Sequence, residues 1–218
     1  MTLPDLRCGK VYKRLNSFIS PLLLLFREAP RYADNADALE QLFLKHSDPW
    51  SFLSSPYEQE RLARLAGVVK RVPHASVLEI GCANGVFTAW LSTVAGRVVA
   101  LDVSPTACAL ARERAPKATV FEQDVREYTH EGKLDLVVCA ETLYYASDPV
   151  GMISAMRELG AHVLVSYTRR EQKRLDLIVA EIPAMIDETF VYKAPGFFSK
   201  KRGCRFLVWG PISQTLAA

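Results

Sequence analysis

Apolar residues recur at helical spacing between residues 57 and 71, where Leu62, Leu65 and Val69 fall on one face. Pro73 follows and ends this predicted helix. Beyond it, short apolar runs alternate with longer segments of helical periodicity. The apolar runs are residues 76–81, 97–102, 118–124, 134–141 and 162–167. Runs of this kind are typical of strands buried on both faces, so the pattern predicts parallel strands connected by helices.

The segments between the predicted strands carry helix signals. Ser104 stands before Pro105, which places an N-cap residue ahead of a proline at the first helical position, and Asp148-Pro149 opens another helix. Two further strands are predicted near the end of the chain, as an antiparallel pair at a sheet edge. The predicted helices are residues 85–95, 104–115, 148–159 and 170–180, and the two late strands are residues 188–194 and 204–211. We therefore predict a doubly wound, seven-stranded, mostly parallel α/β sheet.

An apolar stretch also lies near the N-terminus, at residues 18–26, after a basic segment. It is much shorter than the roughly 20 residues of a membrane span, and Pro21 interrupts it. Charged residues stand where a signal peptide has its small-residue cleavage site. We predict a helical N-terminal extension at residues 1–46 and a main domain at residues 47–218. Peripheral contact of the extension with lipid stays open as an alternative.

Composition narrows the class of protein. The chain has 218 residues, of which 50% are apolar and 23% charged, as in an ordinary globular domain. The net charge of +3 is too small to indicate nucleic acid, although residues 166–218 carry nine basic and five acidic side chains. That surplus fits either a solvated face or attraction of an anionic substrate. The five cysteines form no C-x-x-C pair and have no histidine at zinc-site spacing, so we expect reduced thiols, a cytoplasmic location and no metal site.

The candidate ligand site lies where the predicted strands end. The first strand runs into E-I-G-C-A-N-G at residues 79–85, and glycines let a backbone turn tightly and approach a ligand. A dinucleotide fingerprint would need glycine in place of Ala83 and Val86. Asp102 ends the second strand about 20 residues on, where a carboxylate accepts ribose hydroxyls. Asp124 ends the third strand, which places it at the adenine end of such a pocket.

These motifs resemble those of the class I S-adenosylmethionine-dependent methyltransferases. The resemblance rests on VLEIGCANG, VVALDVS, FEQDV and LDLVVCAETLYY, in register. It implies a Rossmann-like methyltransferase fold for residues 47–218, with S-adenosyl-L-methionine as the cofactor. In this family the glycine loop holds the methionine portion of the cofactor. Asp102 would take the ribose, and Asp124 with Val125 would take the adenine.

A closer resemblance is to the NodS-like nodulation N-methyltransferases, which methylate the free amine of a glucosamine unit in a chito-oligosaccharide. It rests on DPW, SPYEQER, GCANGVFT and AETLYY. In that group the segment with the tryptophan and tyrosine is a helical lid over the cofactor, so Trp50 and Tyr57 are expected to cover it here. The residues expected to bind the cofactor are Trp50, Tyr57, Glu79, Gly81, Cys82, Ala83, Asn84, Gly85, Asp102, Val103, Asp124, Val125 and Ala140.

Glu141 is the candidate general base. It is the first charged residue after the apolar run 136–140, so it emerges at the carboxyl end of a central strand. Methyl transfer from a sulfonium is an in-line displacement, so the protein's main tasks are to orient the reactants, exclude water and accept a proton from the acceptor. Tyr144 and Tyr145 follow closely and are expected to orient the acceptor. We therefore assign Glu141, Tyr144 and Tyr145 as the catalytic candidates.

The predicted function is methyl transfer to an amine or hydroxyl of a small molecule, in particular a sugar or saccharide intermediate. Two alternatives stay open, a nucleic-acid methyltransferase and a non-catalytic, cofactor-binding partner subunit. Enzymes that methylate exocyclic amines of bases carry Asp/Asn-Pro-Pro-aromatic after the fourth strand, whereas residues 140–143 read A-E-T-L. We expect a small-molecule or saccharide partner and no nucleic acid.

Overall fold

The computed structural model describes residues 35–180, 182–192 and 202–210. The strands in this part of the chain are β1 Ser76–Ile80, β2 Arg97–Asp102, β3 Thr119–Glu122, β4 Leu134–Ala140, β5 Gly160–Thr168, β6 Ile186–Tyr192 and β7 Arg202–Trp209. They form one seven-stranded sheet in the order β3-β2-β1-β4-β5-β7-β6. Neighbours among β1 to β5 pair in parallel, and β7 is antiparallel to both β5 and β6. The predicted doubly wound, mostly parallel sheet is confirmed.

Helices connect these strands. They are α1 Ala36–Lys45, α2 Pro56–Val69, α3 Val86–Val94, α4 Pro105–Arg114, α5 Pro149–Leu159 and α6 Gln172–Val179, with a 3₁₀ helix at Leu143–Tyr145. Each of α2, α4 and α5 begins with a proline after a residue whose side chain accepts a backbone N–H of the first turn. These N-cap residues are Ser55, Ser104 and Asp148, so the start signals predicted from Ser104-Pro105 and Asp148-Pro149 are confirmed.

The apolar core lies on both faces of the sheet. In β4, Leu136 and Val138 pack with α2 and α3, whereas Val137 and Cys139 pack with α5 and α6. Successive side chains of a strand point to opposite faces, so a strand covered on both sides needs apolar residues at every position. This is why β4 reads as a nearly unbroken apolar run. Asp135 is the exception, and its carboxylate accepts hydrogen bonds from the backbone and hydroxyl of Ser76 on β1.

The last two strands form the predicted antiparallel pair, and the later one lies inside the sheet. Strand β7 is buried along most of its length, because it pairs with both β5 and β6. Strand β6 is the edge strand, and most of its side chains are exposed or half-buried. Arg205 on β7 ties this region together by ion pairs with Asp176 on α6 and Asp187 on β6.

Helix α1 falls within the predicted N-terminal extension and packs against α4. Phe43 is buried beside Ala83 and Ala107. Residues 1–34 of the predicted extension, which include the apolar stretch, lie outside the described residues. In the part of the chain that the structure describes, no helix combines the length and apolar character needed to cross a bilayer. The boundary after residue 46 stays a prediction.

Candidate active site

A cavity of about 400 Å³ lies at the carboxyl edge of the sheet, where strand order reverses between β1 and β4. Open α/β sheets bind their ligands at this position. The sheet contributes the ends of β1, β2 and β4, and α1 with the segment that follows it contributes further walls. The predicted residues that line the cavity are Trp50, Tyr57, Gly81, Ala83, Asp102, Val103, Asp124, Val125, Ala140, Glu141, Tyr144 and Tyr145.

In the glycine loop after β1, neighbouring residues leave no room for a side chain at Gly81 or Gly85. Gly81 and Gly85 have φ angles of 71° and 75°, in the left-handed region that favours glycine. A Cβ on Gly81 would collide with the side chain of Thr142, and a Cβ on Gly85 would lie 2.6 Å from the Cα of Ala111. Only Gly81 of the two lines the cavity. Gly85 packs closely on α4, and the prediction that both glycines allow close approach to the cofactor stays a prediction.

Asp102 ends β2 with a buried carboxylate. Its two oxygens accept backbone hydrogen bonds from Ala83 at 2.8 Å and from Ser104 at 3.0 Å. Burial raises the pKa of Asp102, and these backbone hydrogen bonds oppose the increase. Each carboxylate oxygen has further acceptor capacity. Asp102 therefore shapes the loop and also offers an acceptor to the cavity, at the position predicted for ribose.

Four of the residues predicted to bind the cofactor lie outside the walls of the cavity: Glu79, Cys82, Asn84 and Gly85. The buried carboxylate of Glu79 accepts a hydrogen bond from the hydroxyl of Thr88 on α3, at 2.6 Å. Burial raises the pKa of Glu79 to about 8. The side-chain amide of Asn84 donates to the carbonyl of Ser47 and to Asp48. These side chains hold the loop and its surroundings in shape.

Asp124 lies just beyond β3, at the wall of the cavity. Its carboxylate pairs with the guanidinium of Arg126 at 2.7 Å, and this hydrogen-bonded contact lowers the pKa of Asp124. Val125 beside it is buried and also lines the cavity. The loop after β3 thus offers one ionised and one apolar side chain to the cavity, and their contact with adenine stays a prediction.

Glu141 directly follows β4 and adopts a left-handed backbone conformation, with φ of 59°. Its carboxylate accepts hydrogen bonds from the hydroxyls of Ser166 at 3.2 Å and Tyr144 at 3.4 Å. Burial raises the pKa of Glu141 to about 7, although the positive charge of Arg61 opposes this increase. A carboxyl group with a pKa near neutrality can both accept and release protons, so it is suited to acid–base chemistry.

Tyr144 and Tyr145 belong to the 3₁₀ helix that follows Glu141, and their ring centroids are 4.7 Å apart. Both rings line the cavity. Tyr144 places its hydroxyl at the Glu141 carboxyl group, and the ring of Tyr145 packs against that of Tyr144. The three catalytic candidates from the sequence are therefore brought together at one wall.

Arg61 on α2 is a cavity residue that the sequence interpretation missed. Only 3% of its side chain is exposed, and its Nε donates to Glu58 at 2.8 Å. Its Nη1 is buried and has no hydrogen-bond partner among the described residues. The available signal was its place on the buried face of the helix, between Tyr57 and Leu65. A charged residue on such a face needs a partner, and Glu58 satisfies only the Nε of Arg61.

The segment from α1 to α2 covers the cavity and is anchored to the loops below it. Glu40 accepts hydrogen bonds from the hydroxyls of Ser104 and Thr106, at 2.6 Å and 2.5 Å. Phe43 and Trp50 contact each other edge to face, with ring centroids 5.3 Å apart, and both line the cavity. Trp50 therefore lines the cavity, and its role as a cover over the cofactor stays a prediction.

The sheet order and the position of the cavity define a protein with the class I S-adenosylmethionine-dependent methyltransferase fold. A model of the family described as Nodulation protein S (NodS) matches residues 32–179 of the chain. The chain belongs to the NodS family. The resemblance inferred from DPW, SPYEQER, GCANGVFT and AETLYY is confirmed.

The chain is similar to curated proteins of two descriptions. Nodulation protein S of Bradyrhizobium diazoefficiens is 37% identical over 116 residues, which cover 51% of this chain and 56% of that protein. Ubiquinone biosynthesis O-methyltransferase of Cronobacter sakazakii is 31% identical over 106 residues, 44% of each chain. The chain thus spans about half the length of the curated relatives it matches.

Among solved structures, N-methyltransferase NodS from Bradyrhizobium japonicum WM9, in complex with S-adenosyl-L-homocysteine, has a TM-score of 0.68 and 24% identity. The match covers 83% of this chain and 100% of that chain. It shows that the two chains share a fold.

Proposed function

We propose that this protein is an S-adenosylmethionine-dependent methyltransferase that acts on an amine or hydroxyl of a small molecule, in particular a sugar or saccharide intermediate. The observation that carries the proposal is the pair Asp102 and Arg61, which present a carboxylate and a guanidinium to one cavity. Family membership supports the same activity, because the similar NodS structure is described as an N-methyltransferase in complex with S-adenosyl-L-homocysteine.

The cavity residues fit this cofactor in charge and polarity. The buried Nη1 of Arg61 has no partner among the described residues, and a carboxylate such as that of the methionine portion would satisfy it. Asp102 would accept the ribose hydroxyls, and the loop of Asp124 and Val125 would contact the adenine. When bound, the cofactor supplies an activated methyl group on a positively charged sulfur.

The protein's own contribution is to orient the reactants, to exclude water and to accept one proton from the acceptor. Phe43 and Trp50 would cover the bound cofactor and keep water away from it. Tyr144 and Tyr145 would hold the acceptor, and Glu141 would take its proton or fix its orientation. A saccharide amine suits this arrangement, since an ammonium must lose a proton before it can attack.

Binding and turnover test the proposal separately. Calorimetry should show that S-adenosyl-L-homocysteine binds the full chain, and weaker binding in Asp102→Ala would connect it to the cavity. Incubation with methyl-labelled cofactor and a panel of glucosamine oligosaccharides, other amino sugars and RNA should label a saccharide. Binding without any transfer would favour the non-catalytic subunit, and labelled RNA would favour the nucleic-acid enzyme. Absence of binding would contradict the proposal as a whole.

A further inference from the structure

Ser166 on β5 contacts Glu141 through both its backbone and its side chain. The carbonyl of Ser166 accepts the backbone N–H of Glu141 at 2.9 Å, and the Ser166 hydroxyl donates to one carboxylate oxygen of Glu141 at 3.2 Å. We propose that Ser166 is a positioning residue, which holds the Glu141 carboxylate in place for the acceptor. This inference rests on the proposed function, in which Glu141 acts on the acceptor. Ser166 was not a candidate from the sequence.

A serine is an unusual residue at this position of β5. Its side chain has no exposed surface, and its neighbours Val165 and Tyr167 are buried as well. A buried hydroxyl lowers stability unless it is hydrogen-bonded, so an apolar residue would suit a position that served only the packing of the sheet. The Ser166 hydroxyl has Glu141 as its partner. This hydrogen bond connects a serine outside the cavity walls to a carboxylate that lines the cavity.

The backbone of Glu141 has a conformation that residues other than glycine rarely adopt. Its φ of 59° lies in the left-handed region. Such a conformation persists only where the surrounding structure holds it, and residues of this kind cluster at functional sites. Ala140, the last residue of β4, still pairs with Ser166 in the sheet. The hydrogen bond from the Glu141 N–H to the Ser166 carbonyl therefore holds Glu141 where the strand ends.

The two carboxylate oxygens of Glu141 are each held by one hydroxyl. One oxygen accepts from Ser166, and the other accepts from Tyr144 at 3.4 Å. Each carboxylate oxygen has two lone pairs, so each can accept a second hydrogen bond. Glu141 and Tyr144 both line the cavity, where the acceptor would lie. Ser166 thus restricts the rotation of the carboxylate and leaves it able to accept a proton from an amine or a hydroxyl.

A titration that needs neither cofactor nor acceptor tests the contact. The protein is labelled with ¹³C at the glutamate side-chain carboxyl, and the resonance of Glu141 is assigned by its loss in Glu141→Gln. Ser166→Ala removes a hydrogen bond to the ionised carboxylate, so it should raise the titration midpoint of Glu141 by about half a pH unit or more. Ser166→Thr keeps the hydroxyl and should restore most of the original midpoint. The matched control is Ser92→Ala, which removes a half-buried hydroxyl from α3 outside the cavity and should leave the midpoint unchanged.

The other ionisable groups near Glu141 are the same in these variants, so their effect on the midpoint cancels in the comparison. They lie on α2, the 3₁₀ helix, β4 and β7, and they are Tyr57, Glu58, Arg61, Tyr144, Cys139 and Cys204. An unchanged midpoint in Ser166→Ala, or an equal change in Ser92→Ala, would overturn the inference. If Ser166→Ala does not fold, Ser166→Cys keeps a side chain of similar size with a weaker donor and should raise the midpoint as well.

Turnover separates positioning from a general effect on the fold. With an acceptor identified from the labelled panel, Ser166→Ala should lower kcat by about tenfold and leave the affinity for S-adenosyl-L-homocysteine unchanged. In a Glu141→Ala background the same substitution should cause no further loss, because Ser166 acts through the carboxylate. Independent losses in the double variant would contradict this role. If no acceptor is labelled, the proposed function fails, and the titration still decides whether Ser166 holds Glu141.

Discussion

The carboxylate of Asp102 accepts a hydrogen bond of 2.8 Å from the backbone N–H of Ala83, so the end of β2 holds the glycine loop that follows β1. Ala83 needs this support because its φ of 52° lies in the left-handed region, which residues other than glycine rarely adopt. One acidic residue thus shapes the loop and faces the cavity. Substitution of Asp102 will act on the loop and on ligand binding together.

We expect Asp102→Ala to weaken binding of S-adenosyl-L-homocysteine by about 1–3 kcal/mol, through loss of a charged hydrogen-bond acceptor. Calorimetry measures the change, and circular dichroism checks the fold. Asp135→Ala, which removes a carboxylate that bonds Ser76 at the far end of β1, should leave the affinity unchanged. Normal affinity in a folded Asp102→Ala protein would remove Asp102 from the binding site.

Arg61→Gln should weaken binding of S-adenosyl-L-homocysteine by about 1.5–3 kcal/mol, since the cofactor carboxylate would lose a charged partner. Binding of 5′-methylthioadenosine, which lacks the amino-acid portion, should change little. Calorimetry with both ligands separates the loss of one contact from damage to the whole cavity. Arg64→Gln, on the same helix but exposed, is the control. Equal weakening of both ligands would assign Arg61 a structural role.

Gly81→Ala should destabilise the fold and abolish cofactor binding, because the new Cβ would collide with Thr142 and the φ of 71° disfavours alanine. The double variant Gly81→Ala/Thr142→Ala should recover part of the lost melting temperature by removing the colliding atoms. The unfavourable backbone angle would remain in the double variant. Thermal denaturation of the two single variants and the double variant measures this coupling. Strictly additive effects would show that Thr142 does not restrict the position.

Glu141→Gln should keep the fold and the cofactor affinity while slowing turnover by about 10²-fold or more, the usual contribution of a positioned base. Single-turnover kinetics with a saccharide acceptor identified from the labelled panel would measure this. Loss of cofactor affinity instead would place Glu141 at the methionine portion of the ligand, beside Arg61. Full activity would show that the enzyme works by orientation alone.

Glu79 should make stability depend on pH. The folded protein raises its pKa from 4.5 to about 8, so the folded state binds a proton more tightly than the unfolded state. The contribution of Glu79 to stability is therefore fully present below pH 4.5 and is lost as the pH rises through about 8. Glu79→Gln should gain stability relative to the unchanged protein between pH 5 and pH 9, as measured by urea denaturation. A difference that stays constant with pH would contradict this assignment.

The sequence determined the architecture, because its signals are local. The apolar run of β4, the Ser104-Pro105 start of α4 and the E-x-G-x-x-x-G spacing are each complete within a few residues, so they can be recognised without a partner. Asp102, Glu141 and the two tyrosines were found because parallel strands present their carboxyl ends at one edge. The family resemblance followed from the same segments.

Tertiary structure alone decided which side chains reach the cavity. Glu79 and Asn84 belong to the predicted loop, yet neither lines the cavity. Glu79 accepts a hydrogen bond from Thr88, and Asn84 donates one to the carbonyl of Ser47. Arg61 belongs to an ordinary amphipathic helix, and it reaches the cavity only because α2 packs against β6 and β7. Local periodicity specifies which face of an element is buried. Contacts between residues far apart in the chain decide which groups pack against that face. They therefore also decide the pKa of a group such as Glu141.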